Sequence, residues 1–162
     1  MLFRSLISKL SNARPKIANY PFTTLEPSLG MVPISEVDSV LLADIPGIIE
    51  GAHEGHGLGH QFLRHVERTG FLLHLIDLFP YDQTDPFDSY QKVNHELQSY
   101  SKMLASKPQL VVLNKIDLPE SNEAELRFRE LYQRTNDSSA VLTISALGGI
   151  GLESLEIGRA HV

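Results

Sequence analysis

Three absences from the 162-residue sequence limit the kinds of protein it encodes. There is no cysteine, so a disulfide framework and a zinc–thiolate site are both excluded. No apolar run approaches the roughly 18 residues of a membrane span, and residues 1–10 lack the features of a signal peptide. No segment has the form G-x-x-x-x-G-K-[ST], the glycine-rich loop that cradles phosphates. We expect a cytoplasmic protein without a membrane span.

The composition that remains is typical of one ordinary domain with a core, since 42% of the residues are apolar. Acidic residues outnumber Lys and Arg by 20 to 14, for a formal net charge of -6, which argues against a broad electrostatic grip on nucleic acid. We interpret residues 6–156 as part of one domain. Residues 1–5 and 157–162 resemble translated adapter DNA, and we interpret them as non-native ends.

Short apolar runs alternate with helical patterns along the chain. Four runs have the character of strands covered on both faces of a parallel sheet, at 39–45, 71–78, 110–114 and 140–145. Apolar residues repeat at helical spacing from Phe87 to Leu104, after the cap and first-turn proline offered by Asp85 and Pro86. Weaker helical patterns cover 58–66 and 124–131, the second after Ser121 as a candidate cap. This alternation predicts a doubly wound α/β fold with a mostly parallel sheet.

Polar residues collect where these strands end, which is where ligands bind in such sheets. The run VVLNKID ends in Asn114, Lys115 and Asp117. A carboxylate such as Asp117 can accept two parallel N–H bonds, and guanine offers that donor pair whereas adenine does not. Asn114 would hold the neighbouring loop or reach a purine acceptor, and the methylenes of Lys115 would cover the base.

Another strand ends in the segment LLADIPG, which carries Asp44 and, three residues later, Gly47. Asp44 is placed to hold a metal ion directly or through water, and the Gly47 N–H would approach a terminal phosphate closely. D-x-x-G alone is a weak signal, because a strand that ends in such residues often just turns. The aspartates from Asp77 to Asp88 are interpreted as strand end, loop and cap rather than as a Ca²⁺ site.

Together these segments resemble the GTPase domain of the Obg family over nearly the whole of residues 6–155. ARPKIANYPFTTLEPSLG is similar to the switch I of that family and LADIPGIIEGAHEGHGLGHQFLRHVERT to its switch II, while NKID and SAL resemble its guanine-specificity motif and base-supporting loop. The resemblance implies a P-loop NTPase fold that binds GTP or GDP with Mg²⁺, hydrolyses GTP, and assists assembly of the large ribosomal subunit. We expect a monomer.

The resemblance assigns nucleotide contacts to both switches and both base loops. The implied positions are Phe22, Thr23, Thr24, Asp44, Ile45, Pro46, Gly47, Asn114, Lys115, Ile116, Asp117, Ser145, Ala146 and Leu147. Mg²⁺ would be held by Asp44 and by one of Thr23 and Thr24, with Thr24 preferred. Many GTPases have a water-orienting glutamine after D-x-x-G, but Ile48 stands there, so hydrolysis is expected to be slow and dependent on another group or a partner. The catalytic group itself is not identified in the region of Gly47 and Ile48.

One departure from the family concerns the front of the domain. The family's phosphate loop would end at Arg4 and Ser5, and neither that loop nor the strand before it is present in the sequence. We therefore expect the chain as printed to fold poorly and to bind GTP weakly or not at all. Two functions remain open: part of a GTP-hydrolysing switch, or a nucleotide-independent remnant that serves as a binding or scaffold module.

Overall fold

A computed structural model describes residues 6, 9–10, 16–17, 28–33, 39–43, 70–135 and 140–153 of the chain. The strands in these ranges are β1 (Lys16–Ile17), β2 (Ser28–Pro33), β3 (Ser39–Ala43), β4 (Leu72–Asp77), β5 (Gln109–Asn114) and β6 (Val141–Ile144). The helices that these ranges show from end to end are α1 (Pro86–Tyr100), α2 (Lys102–Ala105) and α3 (Ser121–Thr135). The alternation of strand and helix from β4 to β6 confirms the predicted α/β class.

The described strands form two sheets. β4, β5 and β6 pair in that order, and both pairings are parallel. β1, β2 and β3 also pair in chain order, but antiparallel. The chain divides into two compact units, one of which contains Phe71–Gln91 and the chain from Pro108 onward. This second unit contains the parallel sheet and all the described base-loop residues.

The antiparallel pairing was not anticipated from the sequence. The run at 39–45 was interpreted as a parallel-sheet strand, but the structure pairs Leu41 with Met31 in an antiparallel ladder. The partner strand, β2, carries Gly30 and ends at Pro33, which are residues that favour turns over strands. That composition concealed the strand, and with it the direction in which β3 pairs.

The core of the second unit packs the parallel sheet against α3 and the beginning of α1, up to Gln91. β5 is its centre, because every residue from Leu110 to Asn114 is buried, as the apolar run predicts for a strand with neighbours on both sides. The buried core residues are Ile76, Leu78, Phe87, Val111, Leu113, Phe128 and Tyr132. Phe128 is only 1% exposed and meets the ring of Phe87 edge to face at a centroid distance of 5.7 Å.

The ends of α1 follow from local chemistry. The Asp85 carboxylate accepts hydrogen bonds from the Phe87 N–H at 2.9 Å and the Asp88 N–H at 3.3 Å, so Asp85 caps the helix as predicted. The helical pattern up to Leu104 is interrupted at Ser101, whose φ of -156° and ψ of 120° are extended. The Ser101 hydroxyl accepts from the Leu104 N–H and thereby starts the separate helix α2.

α3 begins as expected, although Ser121 does not act as its cap. The Ser121 hydroxyl donates instead to the Ile116 carbonyl at 2.8 Å, which ties the start of the helix back to the loop after β5. Among the described helices, none combines the length and apolar character needed to cross a bilayer.

Candidate functional site

The carboxyl edge of the parallel sheet brings three strand ends together. In the parallel register Asn114 lies beside Asp77 of β4 on one side and beside Ile144 of β6 on the other. The loops that follow β4, β5 and β6 therefore leave the sheet at the same edge. This is where the sequence predicted that a ligand would bind.

Asn114 connects the loop after β5 to the loop after β6. Its side chain is 3% exposed, and its Oδ1 accepts a hydrogen bond of 2.8 Å from the Ala146 N–H. Of the two roles considered for Asn114, the structure shows the first, because the side chain holds the neighbouring loop. Because the Ala146 N–H already donates to Asn114, it would donate to a ligand oxygen only by sharing its hydrogen between the two acceptors.

Lys115 has an unusual backbone conformation and an ammonium group with two partners in the protein. Its φ is 75°, in the left-handed region that residues with a Cβ rarely adopt. Its Nζ donates to the Phe79 carbonyl at 2.7 Å and lies 2.8 Å from Oδ2 of Asp77. Such backbone conformations persist where the surroundings fix them, and they concentrate at functional sites.

Asp117 differs from Asn114 and Lys115 because its side chain has no partner among the described residues. It is exposed, and it makes no hydrogen bond or ion pair with any other residue of the described ranges. Ile116, between the two charged residues, is half-buried against the core, and its N–H donates to the Ile144 carbonyl at 3.3 Å. The carboxylate at position 117 is thus carried on an anchored backbone and keeps both oxygens available for a ligand.

The loop after β6 is held mainly by its own backbone. Ser145 is fully buried, its N–H donates to the Ile150 carbonyl at 2.9 Å, and its Oγ accepts from the Gly148 N–H at 2.8 Å. Gly151 has a φ of 73°, and a Cβ there would lie 2.4 Å from the Thr143 carbonyl oxygen, so only glycine fits. The loop presents Leu147, 77% exposed, at its tip.

The structure brings together the predicted positions of the two base loops, and the others lie outside the described residues. The latter are Phe22, Thr23, Thr24, Asp44, Ile45, Pro46, Gly47 and Ile48. Both predicted Mg²⁺ ligands, Thr24 and Asp44, are in this group. Within the described ranges, no three His, Asp or Glu side chains are grouped as a metal site would require.

Asp77 and Phe79 are site residues that the sequence did not single out for a ligand role. Asp77 was interpreted as a strand end, which is correct, but it also binds Lys115 and accepts the Phe79 N–H at 3.0 Å through Oδ1. The available signal was an aspartate at the end of a strand next to the NKID strand. Whether that aspartate reaches Lys115 depends on the strand register, which a single sequence does not reveal.

The paired loops and the parallel sheet are arranged as in a G domain. Era from Aquifex aeolicus, in a crystal structure bound to GDP·AlF4⁻, superposes with a TM-score of 0.66 at 24% identity, over 96% of this chain and 51% of that chain. This likeness confirms the predicted fold.

The family follows from the sequence comparisons. The profile described as 50S ribosome-binding GTPase matches residues 5–115, and the chain belongs to that family. It is 56% identical to GTPase Obg of Desulforapulum autotrophicum and 52% identical to GTPase Obg of Desulforudis audaxviator, in each case over 151 residues and 93% of the chain. These matches confirm the Obg resemblance. The chain spans 43% and 35% of the length of those two relatives.

Proposed function

We propose that this chain is the guanine-recognising part of a GTP-hydrolysing protein. The observation that carries the proposal is the 2.8 Å bond from the Ala146 N–H to Asn114, which joins the NKID and SAL loops beside the free carboxylate of Asp117. In this arrangement Asp117 would accept the ring N–H and the exocyclic amine of guanine. The relatives are named GTPases, and the Era structure holds a GDP complex, which supports the same ligand class.

The roles of the remaining site residues follow from their chemistry. Asn114 fixes the loop that borders the base, and Lys115 offers its aliphatic stem to the base face. Thr24 and Asp44 would supply a hydroxyl and a carboxylate oxygen, the ligands that Mg²⁺ prefers. The ion would neutralise phosphate charge when bound. Gly47 would approach the terminal phosphate.

Hydrolysis is proposed to be slow in the isolated protein. Ile48 follows Gly47 and has no polar atom with which to orient an attacking water, so another group or a partner must supply that contact. The family description names binding to the 50S subunit, and we propose the large ribosomal subunit as the partner of this protein in the cytoplasm. The protein is proposed to act as a monomer.

Isothermal titration tests the nucleotide proposal. In the presence of Mg²⁺, we expect the full-length protein to bind GDP and GTP with a micromolar or lower Kd. The Kd for ATP should be higher by a factor of roughly 10⁴. The 162-residue chain, in which no G-x-x-x-x-G-K-[ST] segment occurs, is expected to bind both weakly. Equal affinity of the full-length protein for ATP and GTP would contradict guanine recognition, and binding of neither nucleotide would leave the scaffold alternative in its place.

A further inference from the structure

The end of β4 makes a compact set of contacts with the NKID loop. Asp77 uses both carboxylate oxygens: Oδ1 accepts from the Phe79 N–H at 3.0 Å, and Oδ2 lies 2.8 Å from the Lys115 ammonium. The ammonium also donates to the Phe79 carbonyl at 2.7 Å. These three contacts form a closed ring that contains the Asp77 carboxylate, the Phe79 backbone and the Lys115 ammonium. We refer to Asp77, Phe79 and Lys115 as the β4 clamp.

The clamp holds the side chain of Lys115. It fixes a long chain that would otherwise sample many rotamers, a freedom that a binding ligand has to remove. The backbone of the same residue has the left-handed φ of 75°. The side chains of Lys115 and Asp77 are 35% and 20% exposed, so the pair is partly screened by solvent but sits at the edge of the core.

The charge of Lys115 is therefore already compensated within the protein. Asp77 supplies the opposite charge and the Phe79 carbonyl a further acceptor, which leaves the ammonium little to gain from an anionic phosphate. What Lys115 still offers is its methylene stem, an apolar surface suited to the face of a purine.

We propose that Asp77 is a positioning residue for base binding, which acts by holding Lys115 so that its stem is ordered before the nucleotide arrives. This inference rests on the proposed function, because it assumes that a guanine nucleotide binds beside Asp117. Asp77 itself need not touch the ligand. Its effect on affinity passes through Lys115, and it acts equally on every purine because any purine presents an aromatic face.

The test is GDP, IDP and XDP binding to the full-length protein with Asp77→Asn. We expect each affinity to fall by about tenfold, with the ratios among the three nucleotides unchanged, because Asp117 sets those ratios. In a Lys115→Met background, Asp77→Asn should cause no further loss. Asp77→Glu, which keeps the charge, should recover part of the affinity, and Asp88→Asn, an exposed aspartate in α1, should bind like the unmodified protein.

Several outcomes would overturn the inference. Unchanged affinity in Asp77→Asn would show that the clamp does not contribute to binding. Tighter binding would show that Lys115 acts on the nucleotide as a charge that Asp77 masks. If Asp77→Asn weakens binding equally in the Lys115→Met background, Asp77 acts on the fold alone. If Asp77→Asn does not fold, Asp77→Glu takes its place in the test. Asp77→Glu must then bind the nucleotides more tightly than Lys115→Met does, and failure to do so would contradict positioning. If the unmodified protein does not prefer GDP to ADP, the proposed function fails instead.

Discussion

The middle of the parallel sheet and its carboxyl edge are held together by different forces. In the middle, aromatic and aliphatic side chains pack around Phe128. At the edge, Asn114 and Lys115 are held by short polar contacts to adjacent loops, and Asp117 has none with the described residues. Apolar packing thus supplies stability below the site, while polar contacts set geometry at it.

A cavity in the middle should give the largest change in stability. Phe128→Ala removes a ring that is 1% exposed, and we expect the free energy of unfolding to fall by about 3–5 kcal/mol. Leu126→Ala on the same helix is the matched control, since Leu126 is 63% exposed and should cost only about 0.5 kcal/mol. Urea denaturation of both variants measures the difference, and equal losses would show that the ring cluster is not the centre of the core.

Protonation of His74 is the next largest effect. Burial lowers the pKa of His74 from 6.5 to about 4, partly opposed by the contact of its Nδ1 with Oε1 of Gln109 at 3.4 Å. The unfolded chain therefore binds the proton more tightly than the folded one. Above pH 6.5, His74 is neutral in both states and the free energy of unfolding is at its full value. As the pH falls from 6.5 to 4, the unfolded chain takes up the proton first, and the free energy of unfolding falls by up to about 3 kcal/mol.

Unfolding measured between pH 4 and 7 tests this prediction. His74→Gln should flatten the slope of stability against pH in that window. His95→Gln, at an exposed position of α1, should retain the slope. A slope that survives His74→Gln unchanged would assign the effect to other titrating groups.

Loss of Asn114 should reduce both stability and binding. Asn114→Ala leaves the Ala146 N–H without its partner, and Ala146 is only 1% exposed, so we expect a loss of about 1–3 kcal/mol. Because the SAL loop would be released, GDP binding should weaken as well. Asn122→Ala on the exposed face of α3 is the control for both measurements. If Asn114→Ala binds GDP normally, the contact between Asn114 and Ala146 is not needed for base recognition.

The smallest change in stability is expected at Asp117, the residue proposed to set specificity. Asp117→Asn alters an exposed side chain without a contact among the described residues, so the free energy of unfolding should stay within about 0.5 kcal/mol. Glu120→Gln, also exposed, is the matched change of charge. A large loss at position 117 alone would mean that the carboxylate supports the fold.

The same contrast explains what the sequence could predict. The middle of the sheet was predictable because an apolar run such as Leu110–Leu113 and the helical spacing through Phe128 depend only on local order. NKID was placed correctly because it directly follows such a run. The helix break at Ser101 was missed because apolar spacing continues past it, and one hydroxyl decides the break.

Other features depend on contacts distant in sequence. Asp77 and Lys115 are 38 positions apart, and they meet because of the parallel register of β4 and β5. The antiparallel pairing of β3 with β2 likewise depends on a partner strand whose own composition is poor for a strand. A pattern within one segment cannot reveal such partners, which is why the contacts that Asp77 and Phe79 make with Lys115 were not predicted from the sequence.

Base selectivity of Asp117→Asn in the full-length protein is the most direct test of guanine recognition. An aspartate accepts two N–H groups, as guanine offers, whereas asparagine accepts one and donates one, which suits the ring N–H and 2-oxo group of xanthine. Competition between GDP and XDP should therefore favour GDP in the unmodified protein and XDP in the variant, with a change in the ratio of roughly 10⁴. An unchanged ratio would contradict the assignment of Asp117 as the group that reads the base.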